Sequence, residues 1–228
     1  MKRCLICLQE LDLFQGLERA QFTNLCQCTT RKRLSKGHYL FHQGELSNTI
    51  YLIKSGKLKL VQNTEDGHET ILDVCGPGEV LGKLSLDQEQ NEHSSAIAME
   101  EMRICCFSKI QFESLIKQDP TFALRIIGYL EQKRYENILN SGKETGGTVK
   151  ERLLRLFYRL AEQYGRKTPT LTLIDLKITQ QELADMIGSS RVMVIHALNE
   201  LKAAKIIDQE NRYYVLKNDP CLSIHLFE

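Results

Sequence analysis

Eight cysteines stand in this chain of 228 residues, and four of them, Cys4, Cys7, Cys26 and Cys28, crowd its first segment. Cys4-Leu-Ile-Cys7 is a C-x2-C pair, a spacing that suits zinc and that also makes a reactive thiol. The other cysteines are Cys75, Cys105, Cys106 and Cys221. In a reducing compartment clustered thiols serve metal or redox chemistry rather than structural disulfides. Zinc through Cys4, Cys7, Cys26 and Cys28 fits the count, and so does a thiol–disulfide switch between Cys4 or Cys7 and a distant cysteine. Core packing is the competing use of a free thiol and the expectation for Cys28, Cys75 and Cys106. Catalytic signatures are missing from the sequence: it holds no Gly-rich phosphate loop, no H-E-x-x-H and no G-x-S-x-G. An enzyme with a β-barrel substrate pocket is therefore the rival class without support.

A second set of chemically capable residues runs from Ser189 to His196 (Ser-Ser-Arg-Val-Met-Val-Ile-His), with Thr179 and Gln180 before it and Lys202 after it. Leu183, Ala184 and Ile187 place apolar groups on one face of a short helix, and Gly188 supplies a turn. Val194, Ala197, Leu198 and Leu201 then hold a second helix against the first. That is helix-turn-helix spacing, which presents the start of the second helix to base edges in a major groove. Thr179, Gln180, Ser189, Ser190, Arg191, Val192, Met193, His196 and Lys202 are the expected DNA-facing residues. A hairpin over Ile206–Leu216, turning at Gln209-Glu-Asn, reads as a wing.

These residues need a frame, and the totals set its size. Hydrophobic residues at 42 % and charged residues at 26 % are the balance of a chain that folds around its own core, one large domain or two small ones. The net charge of +1 advertises no polyanion partner, so DNA binding rests on motif and charge placement. No long apolar run spans a membrane and the start lacks a signal peptide's h-region, so a cytoplasmic protein without a membrane partner is expected. Leucines and phenylalanines over 10–28 predict one or two helices. From Leu34 to Ser108, glycines separate short alternating runs (Thr49–Ile53, Lys57–Val61, Thr70–Val74, Arg103–Phe107), which predicts a sandwich or barrel. Asp119-Pro120 starts a helix of five or six turns. Residues 140–147 are a polar, Gly-rich hinge, an amphipathic helix starts at Val149, and a short strand covers Thr170–Leu173.

Four motifs, in order, carry a resemblance to the CRP/FNR family of transcription regulators over almost the whole chain. Lys36-Gly-His-Tyr-Leu-Phe-His-Gln-Gly-Glu45 is similar to the family's first barrel strand and turn, and Tyr51-Leu-Ile-Lys-Ser-Gly-Lys-Leu-Lys-Leu60 to its most regular hairpin. Gly76-Pro-Gly-Glu-Val-Leu-Gly82 is similar to its barrel turn, and Gln180–Leu201 to its helix-turn-helix. The resemblance implies an α+β architecture. A double-stranded β-helix (jelly-roll, cyclic-nucleotide-binding-like) sensor would occupy 34–110, after a cysteine-containing segment over 1–33. A dimerisation helix would follow over 111–140, a hinge over 141–147 and a winged helix-turn-helix over 148–228. It implies a homodimer on a near-palindromic double-stranded DNA site, RNA polymerase as a partner, and a small effector or redox signal that sets DNA affinity.

The departures from the family bear on that signal. Arg191 matches an Arg that reads guanine in the cyclic-AMP receptor branch, but the Glu usual at the next position is Val192, which can touch only apolar surface such as a thymine methyl. Cyclic-AMP binders carry Glu after the barrel glycine and an Arg-Ser pair for the phosphate. This chain has Gly82-Lys83-Leu84-Ser85 and His93-Ser94-Ser95. Lys83 cannot accept a ribose hydroxyl and His93 is no bidentate clamp, so cyclic AMP is not expected. Gly82-Lys-Leu and Arg103-Ile-Cys-Cys-Phe-Ser more closely resemble the halorespiration regulators of the family, which bind chlorinated aromatic acids. Lys83 would then pair with an anion, and Tyr129, Gln132 and Lys133 would form the other wall. Oxygen-sensing members hold an Fe–S cluster with three N-terminal cysteines and one on a barrel strand. Cys4, Cys7 and Cys105 match three of these, with Cys26 or Cys28 as the stand-in for the missing one.

Overall fold

The computed structural model describes residues 29–63, 69–83, 90–141 and 147–217. Cys4, Cys7, Cys26, Cys28, Cys221, Leu84, Ser85, the helices expected over 10–28 and most of the 141–147 hinge lie outside the described residues. The chain divides into two compact units between Arg134 and Tyr135.

The first unit is built from β1 (Thr29–Leu34), β2 (Tyr39–Phe41), β3 (Thr49–Ser55), β4 (Leu58–Asn63), β5 (Glu69–Cys75), β6 (Val80–Leu81), β7 (Ser95–Ala98) and β8 (Met102–Ser108). They form two antiparallel four-stranded sheets in the orders β1-β8-β3-β6 and β2-β7-β4-β5, the strand order of a jelly roll. The expected sensor boundary at residue 34 cuts through β1. Its Arg31-Lys-Arg33 run shows no apolar alternation because β1 is an edge strand with four exposed residues.

Both faces of the β3–β8 pair are buried. Ile53 and Ile104 point into the sandwich with Leu40, Phe41, Leu58 and Ala96. Ile50, Leu52, Cys105 and Phe107 point to the opposite face, where two helices cover them. These are α1 (Lys109–Gln118) and α2 (Pro120–Ser141). Phe107, Phe112 and Phe122 stack edge to face, with centroids 5.9 and 5.7 Å apart, and each fully buried ring contributes about 1.5–3 kcal/mol relative to exposure. The segment expected as a dimerisation helix over 111–140 is thus two helices. Asp119 precedes a proline, which disfavours helical backbone, and its Oδ1 accepts from the Thr121 N–H at 2.9 Å as an N-cap.

The second unit opens with α3 (Val149–Tyr164), whose Thr148 N-cap and Glu151 form a capping box and which buries Leu153, Leu154, Leu156, Phe157, Leu160 and Ala161. Then come β9 (Gly165–Lys167), β10 (Leu171–Ile174), α4 (Gln180–Ile187), α5 (Arg191–Ala203), β11 (Ile207–Glu210) and β12 (Tyr213–Lys217). The sheet order is β11-β12-β10-β9. Glu210 pairs with Tyr213, so the wing turns at Asn211-Arg212, not at Gln209-Glu-Asn. No helix among the described residues is long and apolar enough to cross a membrane.

Candidate nucleic-acid interface and effector wall

Two helices joined by a three-residue turn form the first site. The Thr179 hydroxyl oxygen accepts from the Glu182 N–H at 3.2 Å, and the Thr179 N–H donates to the Glu182 carboxylate at 2.9 Å, which fixes the start of α4. Gly188 ends it in left-handed backbone at φ 61°, where its N–H donates to Ala184 O; a side chain there would be strained. Ser190 caps α5, its hydroxyl oxygen accepting from the Met193 N–H at 3.3 Å. Leu183, Ala184, Val194, Ala197, Leu198 and Leu201 are buried between the helices and α3.

The opposite face of α5 is open. Arg191 and His196 are exposed, Val192 is 63 % exposed and Met193 50 %. Ser189 and Gln180 are half-buried at its edge. Thr179 and Ser190, both expected to face DNA, are engaged as caps. Lys202 donates to Gln209 Oε1 at 3.2 Å, which ties the last turn of α5 to the wing. The nearby acids have partners within the unit: Glu182 in the capping box, Asp185 with Gln181 (2.8 Å) and Glu200 with Lys150 (3.3 Å). The reading face therefore offers one guanidinium, two apolar tips and an imidazole, with no free carboxylate among residues 189–196.

The residues expected around an effector fall into two groups. In one, Gly82 has φ +107° and its missing Cβ would lie 2.5 Å from Thr49 O, so only glycine fits there. Its neighbour Lys83 donates through the backbone to Ser47 Oγ (3.1 Å) and through Nζ to Asn91 O (2.5 Å). The Ser47 hydroxyl in turn donates to the buried Glu92 carboxylate. Ser95 is buried and accepts from the Gln43 N–H at 2.9 Å, Ser94 is half-buried, and His93 is exposed. In the second group, the Tyr129 hydroxyl on α2 accepts from the Val80 N–H at 3.3 Å, and Lys133 forms an ion pair with Glu79. Glu79 Oε2 also accepts from the Gly76 N–H at 2.6 Å, so one carboxylate ties the β5–β6 turn both to itself and to α2. Gln132 is exposed beside them. Burial pushes the Tyr129 phenol up and pushes the Cys75 thiol well above its usual value. Sequence reading missed Glu79, because 54 residues separate it from Lys133 and no local pattern marks the pair.

Among these residues Lys83 offers a ribose hydroxyl a donor and no acceptor, and its ammonium is held by Asn91 O. They also give little to a metal. Cys105 is fully buried among Ile50, Leu52, Phe107, Phe112, Phe122 and Ile126. Among the described residues no group of three or more His, Cys, Asp or Glu converges on a point. Cys106, one residue on, faces the other side of the sheet, and burial raises its thiol pKa.

Comparison with known proteins agrees with both halves. Residues 31–119 match the model of the cyclic nucleotide-binding domain, and residues 151–221 match that of the Crp-like helix-turn-helix domain. The chain is 30 % identical over 195 residues to the cyclic AMP receptor protein of Thermus thermophilus, covering 82 % of this chain and 85 % of that one. It is 27 % identical over 191 residues to a CRP-like cAMP-activated global transcriptional regulator of Mycobacterium tuberculosis, covering 84 % and 85 %. Its fold is similar to that of a CooA variant from Carboxydothermus hydrogenoformans, with a TM-score of 0.74 at 20 % identity over 94 % of this chain and 92 % of that one.

Proposed function

The chain belongs to the CRP/FNR family of transcription regulators, an effector-binding domain joined to a helix-turn-helix, and we propose that it binds a near-palindromic DNA site as a homodimer under control of a small organic anion. Regulators of this family bind DNA and act as dimers, and the relatives it matches are regulators, not enzymes. The observation that carries the DNA-binding half is the open face of α5, where Arg191, Val192, Met193 and His196 stand clear of a helix whose other side is fully packed. Arg191 reads a guanine, and the apolar tips of Val192 and Met193 meet thymine methyls. Gln180, Ser189 and Lys202 belong to the rim of this interface. Leu124, Ile127 and Leu130, each more than half exposed on α2, supply an apolar stripe for the second subunit. RNA polymerase is the partner expected of a regulator bound at a promoter.

Support for an anionic effector comes from Lys133 and Lys83. An acid or phenolate would take the place of the Glu79 carboxylate on the Lys133 ammonium, beside the Tyr129 hydroxyl. Lys83, in the other group, carries a cation in place of the nucleotide binders' carboxylate, its ammonium now donating to Asn91 O. Binding shifts the population of two states of α2, and the 141–147 linker passes this to the spacing of the two reading helices.

The test is a mobility shift on a palindrome selected from random DNA. Arg191→Ala should lose about 1–3 kcal/mol on that site and none on random DNA. Adding a chlorinated aromatic acid should raise the affinity of the wild type and leave Lys133→Met unmoved; equal binding by both proteins at every concentration would overturn the anion reading.

A further inference from the structure

Among the described residues, the sulfur most open to solvent belongs to a thioether, not to a thiol. Cys75 and Cys105 are buried. Burial raises the thiols of Cys75 and Cys106, which keeps both away from the reactive thiolate. The chain has five methionines, of which Met1 lies outside the described residues. Met99 and Met102 are core residues, and Met186 is half-buried near the end of α4. Met193 differs from all of these: it is 50 % exposed on the first turn of α5.

The start of the helix fixes where this side chain points. The Met193 N–H donates to Ser190 Oγ at 3.3 Å, and the next residue, Val194, is fully buried. Successive helix residues are rotated by about 100°, so an inward Val194 leaves Met193 on the open face. Val192 adjoins it there, and His196 stands one turn further on. Oxidising a buried methionine disrupts a core, but at this position little packing is at stake. What changes is the surface offered to DNA. A sulfoxide is polar, and pressed against a thymine methyl it sheds water without gaining a partner. It carries no net charge, so attraction to the phosphates is untouched.

We propose that Met193 is an oxidation switch on the DNA-reading face, turned off when a two-electron oxidant of the hypochlorous acid class converts its thioether to the sulfoxide. This rests on the reading of α5 as the base-reading helix. The oxidant's oxygen passes to the sulfur: an S–O bond forms, the O–Cl bond breaks, the sulfur gives up two electrons, and chloride and a proton leave. A methionine sulfoxide reductase restores the thioether. DNA lying over the face shields the sulfur, so free regulator is oxidised ahead of bound regulator.

The experiment treats full-length wild type and Met193→Leu with hypochlorous acid and then with dithiothreitol, which returns disulfides and sulfenic acids to thiols and leaves sulfoxides in place. Mass spectrometry follows the peptide that carries residue 193. Oxidised wild type should bind the selected palindrome roughly tenfold more weakly. It should bind random DNA as before, with an unchanged salt slope, and should regain its affinity after methionine sulfoxide reductase. Met193→Leu, whatever affinity it starts from, should lose none on treatment. Equal losses in both proteins, or a loss that dithiothreitol reverses, would place the effect on other sulfurs and overturn the proposal. Unchanged binding by treated wild type would overturn it too. Untreated wild type unable to discriminate the palindrome from random DNA would instead overturn the helix-turn-helix reading beneath it.

Discussion

At the scale of one residue, the proposed DNA preference turns on Val192. It stands on the first turn of α5, 63 % exposed, with no packing role to explain a β-branched apolar group there. Val192→Glu introduces an acceptor for cytosine N4 at that position, so preference should shift from A·T toward G·C at one base pair of each half-site by about 1–3 kcal/mol. A binding-site logo from selected sequences checks it. The buried thiol of Cys75 gives a pH prediction. Burial is the main cause that raises it, with Glu79 and Asp73 adding and Lys133 opposing. Its folded pKa lies above the unfolded one, so its stabilising effect is complete below the unfolded value near 9. The effect is lost as pH rises from there toward the folded value. Urea stability should therefore fall more steeply above that pH in the wild type than in Cys75→Val, by at most ~1.4 kcal/mol per pH unit.

At the scale of the element, the capping box of α4 is worth measuring. Thr179→Ala removes the acceptor for the Glu182 N–H and should cost about 1 kcal/mol of stability in a chemical denaturation series. This box stands in the sequence as Thr-x-x-Glu, yet Thr179 was expected to face DNA; the glycine turn and the two buried helix faces were legible, because they are local patterns with fixed spacing. The strands β3, β4, β5 and β8 were legible for the same reason. What escaped was set by position in the sheet or by distance. Edge strand β1 has four exposed residues and no alternation to read, and three-residue β9 is too short to show one. The wing turn lies one residue beyond the expected place because Arg212 hides a site where glycine would have marked it. Of the residues expected around an effector, Tyr129 and Lys133 lie together and Lys83 lies with Ser47 and Asn91, and the Glu79 partner of Lys133 could be found only from the fold.

At the scale of the whole molecule, the proposed dimer rests on the α2 stripe. Leu124 at 67 %, Ile127 at 59 % and Leu130 at 55 % exposed recur at helical spacing on a face that the first unit leaves open. Ile127→Lys should convert the dimer to monomers in sedimentation and abolish tight binding to the palindrome, while the monomer's melting temperature changes little because the side chain is exposed. The first unit's own cohesion has another source. Strands β3 and β8 form a wall with a packed core on either side, the sandwich interior on one face and the phenylalanine cluster under α1 and α2 on the other. Neither core can open without exposing a face of the same two strands. Their amides should accordingly be the last in the unit to take up deuterium, exchanging only through complete unfolding, while those of edge strand β1 exchange by local fraying. In the proposed mechanism a signal received at α2 would meet a rigid plate rather than a yielding one, so its displacement would be returned along the helix instead of being absorbed in the sheet.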